Sequence, residues 1–384
     1  MKPIKQICII AGEASGDLHG AALVKALKES GGPLVFFGLG GPRLREAGVE
    51  MVYPPPLNVV GFTEVLAKIA QLFHAFQKVK QTLVDRSADL LVLIDYPELN
   101  LRLARFAHRR NIPVLFYISP QVWAWRAGRV KTIARVVDRM AVILPFEEEF
   151  YRARGMAVEF VGHPLGDVLE ETLSLKEDPE LPGAGPESTV IGLLPGSRPT
   201  EVNQILPVLL ATAWALKQRF LGPLVFWLPI APSLDPGVIR GKAAPYQAQG
   251  LDLQLSSGGG SPAALKRCTL ALVASGTATL EAAILGVPMI IVYKVSAVNY
   301  WIAKRLIKVP YIGLVNWIAG EKIISEYVQD QAHPQALTEE ALQLLNDPVQ
   351  REELRTKMAL VRQKLGGPGA SRRVARMALE MLGG

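Results

Sequence analysis

Residues 7–17 of the chain read ICIIAGEASGD, an apolar run followed by a turn of small and acidic residues. An uninterrupted apolar run of this length is typical of a strand buried on both faces of a parallel sheet. The small residues of the turn let the backbone approach a ligand, and the free N–H groups at the start of a following helix attract anions. This stretch therefore predicts the first strand, turn and helix of a doubly wound α/β domain.

The pattern of residues 7–17 recurs through the first half of the chain. Short apolar runs alternate with longer stretches that suit crossover helices, and this order indicates a parallel sheet. The predicted strands of this half are residues 7–11, 35–38, 90–94, 114–118, 140–144 and 159–161. We expect one Rossmann-like domain over residues 1–177.

A segment rich in proline and glycine interrupts the alternation at residues 178–188 and predicts a linker. Behind it the alternation restarts, with predicted strands at residues 190–194, 224–228, 253–255, 270–274 and 289–293. We therefore predict a second Rossmann-like domain over residues 189–336 and a helical tail over residues 337–384. Ligands of such sheets bind beyond the carboxyl ends of the strands, so a cleft between two facing domains is the expected site.

The composition limits the classes of function. The chain carries 42 basic and 35 acidic side chains, a net charge of +7. This excess favours anionic partners such as phosphorylated substrates, acidic lipids or nucleic acid, although a basic solvated surface explains it equally well. The two cysteines form no CxxC pair and the histidines lack metal-binding spacing, so neither a disulfide framework nor a metal site is predicted. No apolar run reaches the ~18 residues of a membrane span, which predicts a soluble or peripheral protein.

Two turns of small residues follow predicted strands of the second domain. Their residues are Gly196, Ser197, Arg198, Ser275, Gly276 and Thr277. The guanidinium of Arg198 matches a diphosphate in shape and charge, and Glu281 either accepts hydrogen bonds from ribose hydroxyls or is a surface helix acid. Each turn on its own is equally a common tight turn. The GxGxxG fingerprint is absent, so a nicotinamide dinucleotide is not predicted.

Polar side chains also follow the predicted strand at residues 90–94, namely Asp95, Glu98 and Asn100. A carboxylate at the carboxyl end of a parallel strand faces the cleft, where it could remove a proton from a sugar hydroxyl. Alternatively, Asp95 caps a helix and Glu98 is solvated. No DxD pair occurs here, so the segment does not indicate a metal-chelated nucleotide sugar.

Two further stretches have an open interpretation. Trp123 and Trp125 either stack on a sugar ring or pack in the core, and Arg126 begins a basic run that suits an anionic substrate or lipid headgroups. Residues 59–83 carry apolar side chains at roughly helical spacing with interspersed lysines. Such a helix either lies in a membrane interface or packs on an ordinary core.

Several segments taken together resemble the lipid-A-disaccharide synthase family in order and spacing. They are residues 12–17, 95–100, 119–126, 162–164, 194–198, 275–281 and 293–316. The match spans nearly the whole chain. The Trp-Ala-Trp-Arg block at residues 123–126 and the block at residues 293–316 are its specific parts, whereas the glycine turns alone would not identify a family.

The resemblance implies a glycosyltransferase-B fold and an inverting transfer of diacylglucosamine from UDP to an acylated glucosamine 1-phosphate. That reaction makes the β-1,6 disaccharide of lipid A at the cytoplasmic face of a Gram-negative inner membrane. It also implies a dimer with exchanged carboxyl-terminal parts, peripheral contact with an anionic membrane, no cofactor and no nucleic acid. The functional positions of the family fall on Glu13, Asp89, Glu98, Arg198 and Asn316. Where the family usually has Asp, this chain has Glu98.

These arguments assign the candidate site residues to three groups. The catalytic candidates are Glu98 as general base, its rival Asp95, and Glu13. The candidates for UDP-sugar binding are the two turns of the second domain, Glu281 and Asn316. The residues with an acceptor-binding or structural role are Ser15, Asp17, Asp89, Asn100, Trp123, Trp125 and Arg126.

Two alternatives compete with this assignment. One is another UDP-sugar enzyme of the same fold, either a muramyl-type glucosaminyltransferase or a UDP-N-acetylglucosamine epimerase. The blocks at residues 123–126 and 293–316 argue against it. The other is a non-catalytic membrane-surface binding protein that uses the basic run after Trp125 and the stretch at residues 59–83.

Overall fold

The computed structural model describes residues 4–53, 63–125, 127–174, 184–185, 187–258, 261–296, 300–301 and 311–383. The chain forms two compact units, one of Met1–Asp167 with Gly366–Gly384 and one of Val168–Leu365. Most of the predicted linker, residues 178–183 and 186, lies outside the described residues. The α/β fold class with two parallel sheets is confirmed.

The first unit contains a parallel sheet that has seven strands in the described part of the chain, in the order β3-β2-β1-β4-β5-β6-β7. The strands are β1 Lys5–Ala11, β2 Leu34–Leu39, β3 Glu50–Met51, β4 Leu90–Ile94, β5 Val114–Tyr117, β6 Arg139–Val142 and β7 Glu159–Phe160. The helices are α1 Ala14–Glu29, α2 Pro42–Glu46, α3 Thr63–Asp85, α4 Pro97–His108, α5 Val122–Trp125, α6 Val130–Ile133, α7 Pro145–Arg152 and α8 Leu165–Ser174, with a 3₁₀ turn at Ala127–Arg129.

The second unit repeats this plan with a sheet of six described strands in the order β10-β9-β8-β11-β12-β13. The strands are β8 Thr189–Leu194, β9 Leu224–Ile230, β10 Leu253–Ser257, β11 Leu270–Ala274, β12 Met289–Tyr293 and β13 Glu326–Val328. The helices are α9 Pro199–Arg219, α10 Pro236–Ala248, α11 Pro262–Lys266, α12 Thr277–Leu285, α13 Leu314–Ala319, α14 Pro334–Asn346 and α15 Pro348–Lys364, with a 3₁₀ turn at Gln329–Gln331.

Strand β4 shows why continuous apolar runs form the centre of these sheets. All five of its side chains, Leu90–Ile94, are fully buried. Leu91 and Leu93 belong to the core on one face of the sheet, whereas Leu90, Val92 and Ile94 belong to the core on the other. Burial of each such side chain contributes about 1.5–3 kcal/mol to folding, so a polar residue is disfavoured on either face.

The strand order reverses once in each sheet. In the first sheet β1 lies between β2 and β4, and in the second β8 lies between β9 and β11. Connections leave such a point in opposite directions, which opens a crevice beyond the carboxyl ends of the two central strands. The switch points are therefore the ends of β1 and β4 in one unit and of β8 and β11 in the other.

The predicted helical tail divides between the two units. Helix α14 packs on α9 in the second unit, whereas the last helix, α16 (Ala370–Met381), packs on α1 in the first. Asp167 accepts hydrogen bonds from the N–H groups that begin α16, including one of 3.0 Å from Ser371. None of the described helices combines the length and the apolar character needed to cross a membrane.

Candidate active site

The turns after β1 and β4 meet at the switch point of the first sheet. Ala11 pairs with Ile94 at the ends of these strands, so the residues that follow are neighbours. The contact between them is close, because a β-carbon on Gly12 would lie 2.5 Å from a ring carbon of Tyr96. Glu13 follows Gly12 and Asp95 precedes Tyr96, so this contact brings together two of the predicted catalytic residues.

The turn after β4 has a strained backbone. Asp95 and Tyr96 have φ angles of 49° and 43°, in the left-handed region that residues other than glycine rarely adopt. Asn100, which is fully buried, donates from Nδ2 to the carbonyl oxygens of Ile94 at 3.2 Å and Asp95 at 2.6 Å. Asn100 thus holds the strained turn in place.

The pKa of Asp95 responds to its surroundings at this switch point. Burial raises the pKa of Asp95, and the negative charge of Glu13 raises it further, while the N–H group of Tyr96 opposes the shift. Glu13 is exposed and precedes α1 in extended conformation, with no capping bond from its side chain. A carboxyl group with a raised pKa beside a second carboxylate is typical of acid–base sites.

Glu98 lies in the first turn of α4, three residues after Asp95. Its side chain is 64% exposed, and its Oε1 accepts a hydrogen bond of 2.7 Å from Nη1 of Arg129. Arg129 ends the 3₁₀ turn at Ala127–Arg129. Glu98 therefore connects the turn after β4 to the loop that follows β5.

The remaining acids predicted for the first unit, Asp89 and Asp17, accept hydrogen bonds from the backbone. Asp89 accepts from the backbone N–H of Gln6 at 2.8 Å and from Nζ of Lys5 at 2.9 Å, at the amino end of β4. At about 3.3 Å per residue it is roughly 20 Å along the chain from Asp95. Asp17 is buried and accepts from three N–H groups at the start of α2, including that of Gly41 at 2.7 Å.

Asp89 therefore lies at the amino end of β4, opposite the switch point and away from Glu13 and Glu98 of the same unit. Ser15 is exposed in the first turn of α1, near Glu13.

A buried acid that the sequence reasoning missed organises the tryptophan loop. Glu147 is 1% exposed, and its Oε1 accepts from Oγ of Ser119 and, at 3.2 Å, from Nε1 of Trp123. Its Oε2 accepts from the N–H groups of Ile143 and Leu144. Burial raises the pKa of Glu147, although these donors oppose the shift. The only sequence signal was its place as third residue of a helix that begins with proline, which indicates a cap.

Trp123 is held by packing as well. Its ring meets that of Phe146 edge to face, with centroids 5.0 Å apart. The side chain is half-buried, so the packing interpretation fits its observed contacts. Arg126 and the side chain of Trp125 lie outside the described residues.

The first turn of the second unit joins β8 to α9. Gly196 has a φ of 103°, which favours glycine, and the exposed Arg198 immediately precedes the 21-residue helix α9. The carboxylate of Glu201, which sequence reasoning did not single out, packs against Gly196. Burial raises the pKa of Glu201, and the charge of Arg198 opposes the shift. A guanidinium and a helix amino terminus thus lie at the end of β8.

The second turn joins β11 to α12 beside the first, because β8 and β11 are neighbours. Gly276 and Thr277 are exposed, and Oγ of Ser275 donates to the carbonyl oxygen of Ile312 at 3.1 Å. Glu281 is half-buried and burial raises its pKa. This excludes the interpretation of Glu281 as a freely solvated surface acid.

Asn316 is held by hydrogen bonds within the second unit. It is fully buried, and its amide donates to Ile324 O and Glu326 Oε1 and accepts from the N–H groups of Ile323 and Ile324. These four bonds use both N–H donors and both lone pairs of the amide oxygen. Every donor and acceptor of the Asn316 amide is thus used within the fold, and direct contact between Asn316 and the UDP-sugar stays a prediction.

The part of the chain that the structure describes contains no cluster of His, Cys, Asp and Glu suited to hold a metal ion. The arrangement instead offers carboxylates at one switch point and a cationic helix start at the other. Such groups can accept a proton and stabilise a departing anion.

Comparison with known proteins identifies relatives over nearly the whole chain. The family model described as lipid-A-disaccharide synthetase matches residues 7–380. The lipid-A-disaccharide synthase of Geobacter sulfurreducens is 48% identical over 379 residues, covering 98% of this chain and 97% of the relative. That of Myxococcus xanthus is 37% identical over 378 residues, with coverage of 98% and 97%.

Solved structures with the same fold are more distant in sequence. UDP-GlcNAc 2-epimerase from Neisseria meningitidis bound to UDP-GlcNAc superposes with a TM-score of 0.68 at 15% identity, covering 98% of this chain and 100% of that chain. The calicheamicin glycosyltransferase CalG4 gives 0.62 at 18% identity, with coverage of 100% and 99%. These likenesses confirm the predicted glycosyltransferase-B type of fold.

Proposed function

The chain belongs to the lipid-A-disaccharide synthase family and is a hexosyltransferase that forms the lipid A disaccharide, and from this premise we propose its substrates and mechanism. The donor is UDP-2,3-diacylglucosamine and the acceptor is 2,3-diacylglucosamine 1-phosphate. The products are the β-1,6-linked disaccharide 1-phosphate and UDP. The observation that carries the proposal is the placement of carboxylates at the first switch point and Arg198 at the second, in a chain whose relatives match along its length.

The donor binds in the second unit. Arg198 and the N–H groups at the start of α9 contact the diphosphate, because a guanidinium and a helix amino terminus both attract phosphate oxygens. Gly196 and Ser197 let the diphosphate approach the backbone. Ser275, Gly276 and Thr277 form the neighbouring wall of the site, and Glu281 accepts from the ribose hydroxyls.

The acceptor binds in the first unit, where Glu98 is the general base. As the 6-hydroxyl oxygen attacks the anomeric carbon, its proton passes to the Glu98 carboxylate and the bond from that carbon to the UDP oxygen breaks. The electron pair of the broken bond leaves with UDP, whose charge Arg198 stabilises. Attack opposite the leaving group inverts the configuration of the anomeric carbon.

Two further carboxylates at the same switch point, those of Glu13 and Asp95, take part as well. Arg129 orients the Glu98 carboxylate through their 2.7 Å contact. The raised pKa of Asp95 suits a hydrogen bond with a sugar hydroxyl, in which Asp95 is donor or acceptor according to pH.

Contact with the membrane is peripheral, at the cytoplasmic face of the inner membrane, through α3 and nearby basic side chains. Phe73 on α3 is 58% exposed. Lys80 lies over the rings of Phe76 and Phe106, at 4.8 and 4.9 Å from their centroids. A helix that carries an exposed aromatic ring and lysines suits the surface of an anionic bilayer. Residues 59–62 and the side chains of residues 63–70 lie outside the described part of the chain.

The protein is further proposed to form a homodimer in which the carboxyl-terminal parts are exchanged. The segment that could exchange is α16, which here packs on α1 of its own chain through a seam that includes Val374 and Met377. Light scattering at micromolar concentration measures the assembly directly, and a monomer there would rule the dimer out.

The proposed reaction is tested by UDP release from UDP-2,3-diacylglucosamine, with and without the monosaccharide 1-phosphate. We expect release to depend on the acceptor and to produce one disaccharide per UDP. Release at the same rate without acceptor would indicate hydrolysis or epimerisation and contradict the proposal. The anomeric configuration of the product, read by NMR from the coupling of the anomeric proton, tests inversion.

A further inference from the structure

A hydrogen-bond network in the second unit joins Asn316 to the switch point. Asn316 Nδ2 donates to Glu326 Oε1 at 2.8 Å, and Glu326 lies on the edge strand β13. The same carboxylate accepts from the backbone N–H groups of Ile312 at 3.0 Å and Gly313 at 2.8 Å. The carbonyl oxygen of Ile312 accepts from Oγ of Ser275 at 3.1 Å. The network therefore ends at the turn after β11.

The segment in the middle of this network has little freedom to move. A β-carbon on Gly313 would lie 2.6 Å from Cδ1 of Ile291 and 3.0 Å from Oε1 of Glu326. Gly313 is thus pressed between strand β12 and the Glu326 carboxylate. Because Ile312 and Gly313 are held from both sides, the position of the Ile312 carbonyl, and with it the orientation of the Ser275 hydroxyl, depends on Glu326.

The hydrogen-bond donors and acceptors of Glu326 and Asn316 match those of their neighbours. Glu326 presents oxygens to three N–H donors, two from the backbone and one from Asn316. Asn316 presents its oxygen to two backbone N–H groups and its nitrogen to two oxygens. A side chain of the wrong donor or acceptor type at either position leaves a buried polar group without a partner, which is costly.

We propose that Glu326 and Asn316 are a pair of positioning residues for the UDP-sugar site, which act through Ile312 and Gly313 on Ser275. Neither side chain touches the donor. The inference rests on the proposed donor site in the second unit and gives Asn316 an indirect role there.

The test exchanges the two functional groups between the positions. In Glu326→Gln an amide N–H group faces the donors of Ile312, Gly313 or Asn316. In Asn316→Asp a second carboxylate faces Glu326 and the carbonyl of Ile324. Each single variant should raise the KM for the UDP-sugar and the Kd for UDP by at least about 10-fold, with the KM for the acceptor unchanged. A 10-fold change corresponds to about 1.4 kcal/mol, which is the loss of one buried hydrogen bond.

The double variant Asn316→Asp with Glu326→Gln restores the hydrogen bond between the two side chains, because the glutamine amide donates to the new aspartate. The N–H group of Gly313 and the carbonyl oxygen of Ile324 still lack their former partners. The Kd for UDP should therefore recover by several-fold relative to Asn316→Asp, without reaching the value of the unaltered protein. A direct contact between Asn316 and the donor predicts the opposite, namely that Asn316→Asp is impaired equally with either residue at position 326. That outcome, or an unchanged donor KM in Glu326→Gln, overturns the proposal.

A matched control comes from the same unit. Glu340 accepts from Ser325 at 2.6 Å and Tyr327 at 3.3 Å without a link to Ser275, so Glu340→Gln should leave the donor KM unchanged. If circular dichroism shows that the single variants are unfolded, UDP binding to the double variant decides between the indirect role of Asn316 and its direct contact with the donor. Absence of UDP binding and turnover in the unaltered protein would contradict the proposed function, whereas normal turnover with unaffected variants would contradict this inference alone.

Discussion

Gly12 and Tyr96 are in such close contact that a β-carbon at position 12 would lie 2.5, 2.7 and 2.9 Å from three carbons of the tyrosine side chain. Tyr96 itself has a φ of 43°, and Asn100 holds the turn that contains it. The contact therefore fixes the spacing between the turn that carries Glu13 and the turn that carries Asp95. Only glycine at position 12 is compatible with this arrangement.

Gly12→Ala should displace Tyr96 and with it Asp95. We expect turnover to fall by about 10²-fold, as for misplacement of catalytic groups by about 1 Å, and overpacking to cost about 1–3 kcal/mol in free energy of unfolding. Steady-state kinetics and urea unfolding measure both. The control is Gly241→Ala in α10, where no atom lies within 4 Å of the added carbon; it should keep full activity. Full activity in Gly12→Ala would show that Tyr96 can relax.

Arg198→Ala should lower kcat by about 10²–10³-fold, because it removes a donor aimed at the departing diphosphate. The Kd for UDP should rise as well, by isothermal titration. Arg219 is exposed at the other end of the same helix, so Arg219→Ala is a matched control with the same loss of charge. An Arg198→Ala protein that retains UDP affinity and turnover would remove Arg198 from the donor site.

Phe73→Ser should weaken binding to vesicles that contain anionic lipids, because the exposed ring loses its insertion into the interface. Sedimentation with the vesicles at low and high salt measures the bound fraction. Leu221, at 98% exposure in the second unit, provides the control, since Leu221→Ser removes an exposed apolar side chain that does not belong to α3. Equal effects of both substitutions would mean that vesicle binding does not depend on α3.

The central strands could be predicted because burial on both faces imposes an uninterrupted apolar run. The predicted bounds of residues 90–94 coincide with β4, whose side chains are all buried. The edge strands β3 and β13 were missed since they contain only two and three residues, none of them fully buried. An edge strand buries less of its side chains, so the apolar run in its sequence is short or absent.

The site was only partly predictable for a different reason. The turns at Asp95, Arg198 and Ser275 follow apolar strands, so their position was evident from local sequence. Glu147 and Glu326 take their roles from partners such as Ser119 and Gly313, which are 28 and 13 residues away. Local sequence contains no record of such pairings, and it also could not show that the amide of Asn316 is fully occupied within the fold.

Asp95→Asn should stabilise the protein at neutral pH. Burial and the charge of Glu13 raise the folded-state pKa of Asp95, so its contribution to stability is fully present below the unfolded-state pKa and is lost as pH rises through the folded-state value. Asparagine carries no charge and tolerates the left-handed conformation. The free energy of unfolding, measured with urea at pH 7, should therefore be larger for the variant than for the unaltered protein. This difference should vanish as pH approaches about 4, the ordinary pKa of aspartate.

Asp89 provides a control of opposite sign. Burial acts to raise its pKa, but the bonds from Gln6 and Lys5 outweigh burial and lower it. Its contribution to stability is present above the unfolded-state pKa and is lost as pH falls through the folded-state value. Asp89→Asn should therefore destabilise the protein at pH 7. A loss of stability in Asp95→Asn at pH 7 would contradict the raised pKa of Asp95.

Glu98→Gln should lower turnover by at least about 10²-fold, because the amide cannot accept the proton of the acceptor hydroxyl, and general bases contribute about 10²–10⁴-fold. UDP-sugar binding should be retained, since the donor site lies in the other unit. Glu98→Asp should keep part of the activity, because it keeps a carboxylate at a shifted position. Glu149 is an exposed acid of the same unit, and Glu149→Gln should be fully active. Near-normal turnover in Glu98→Gln, together with an inactive but folded Asp95→Asn, would transfer the role of base to Asp95. Asp95 lies in the strained turn at the same switch point, and its pKa is raised by burial.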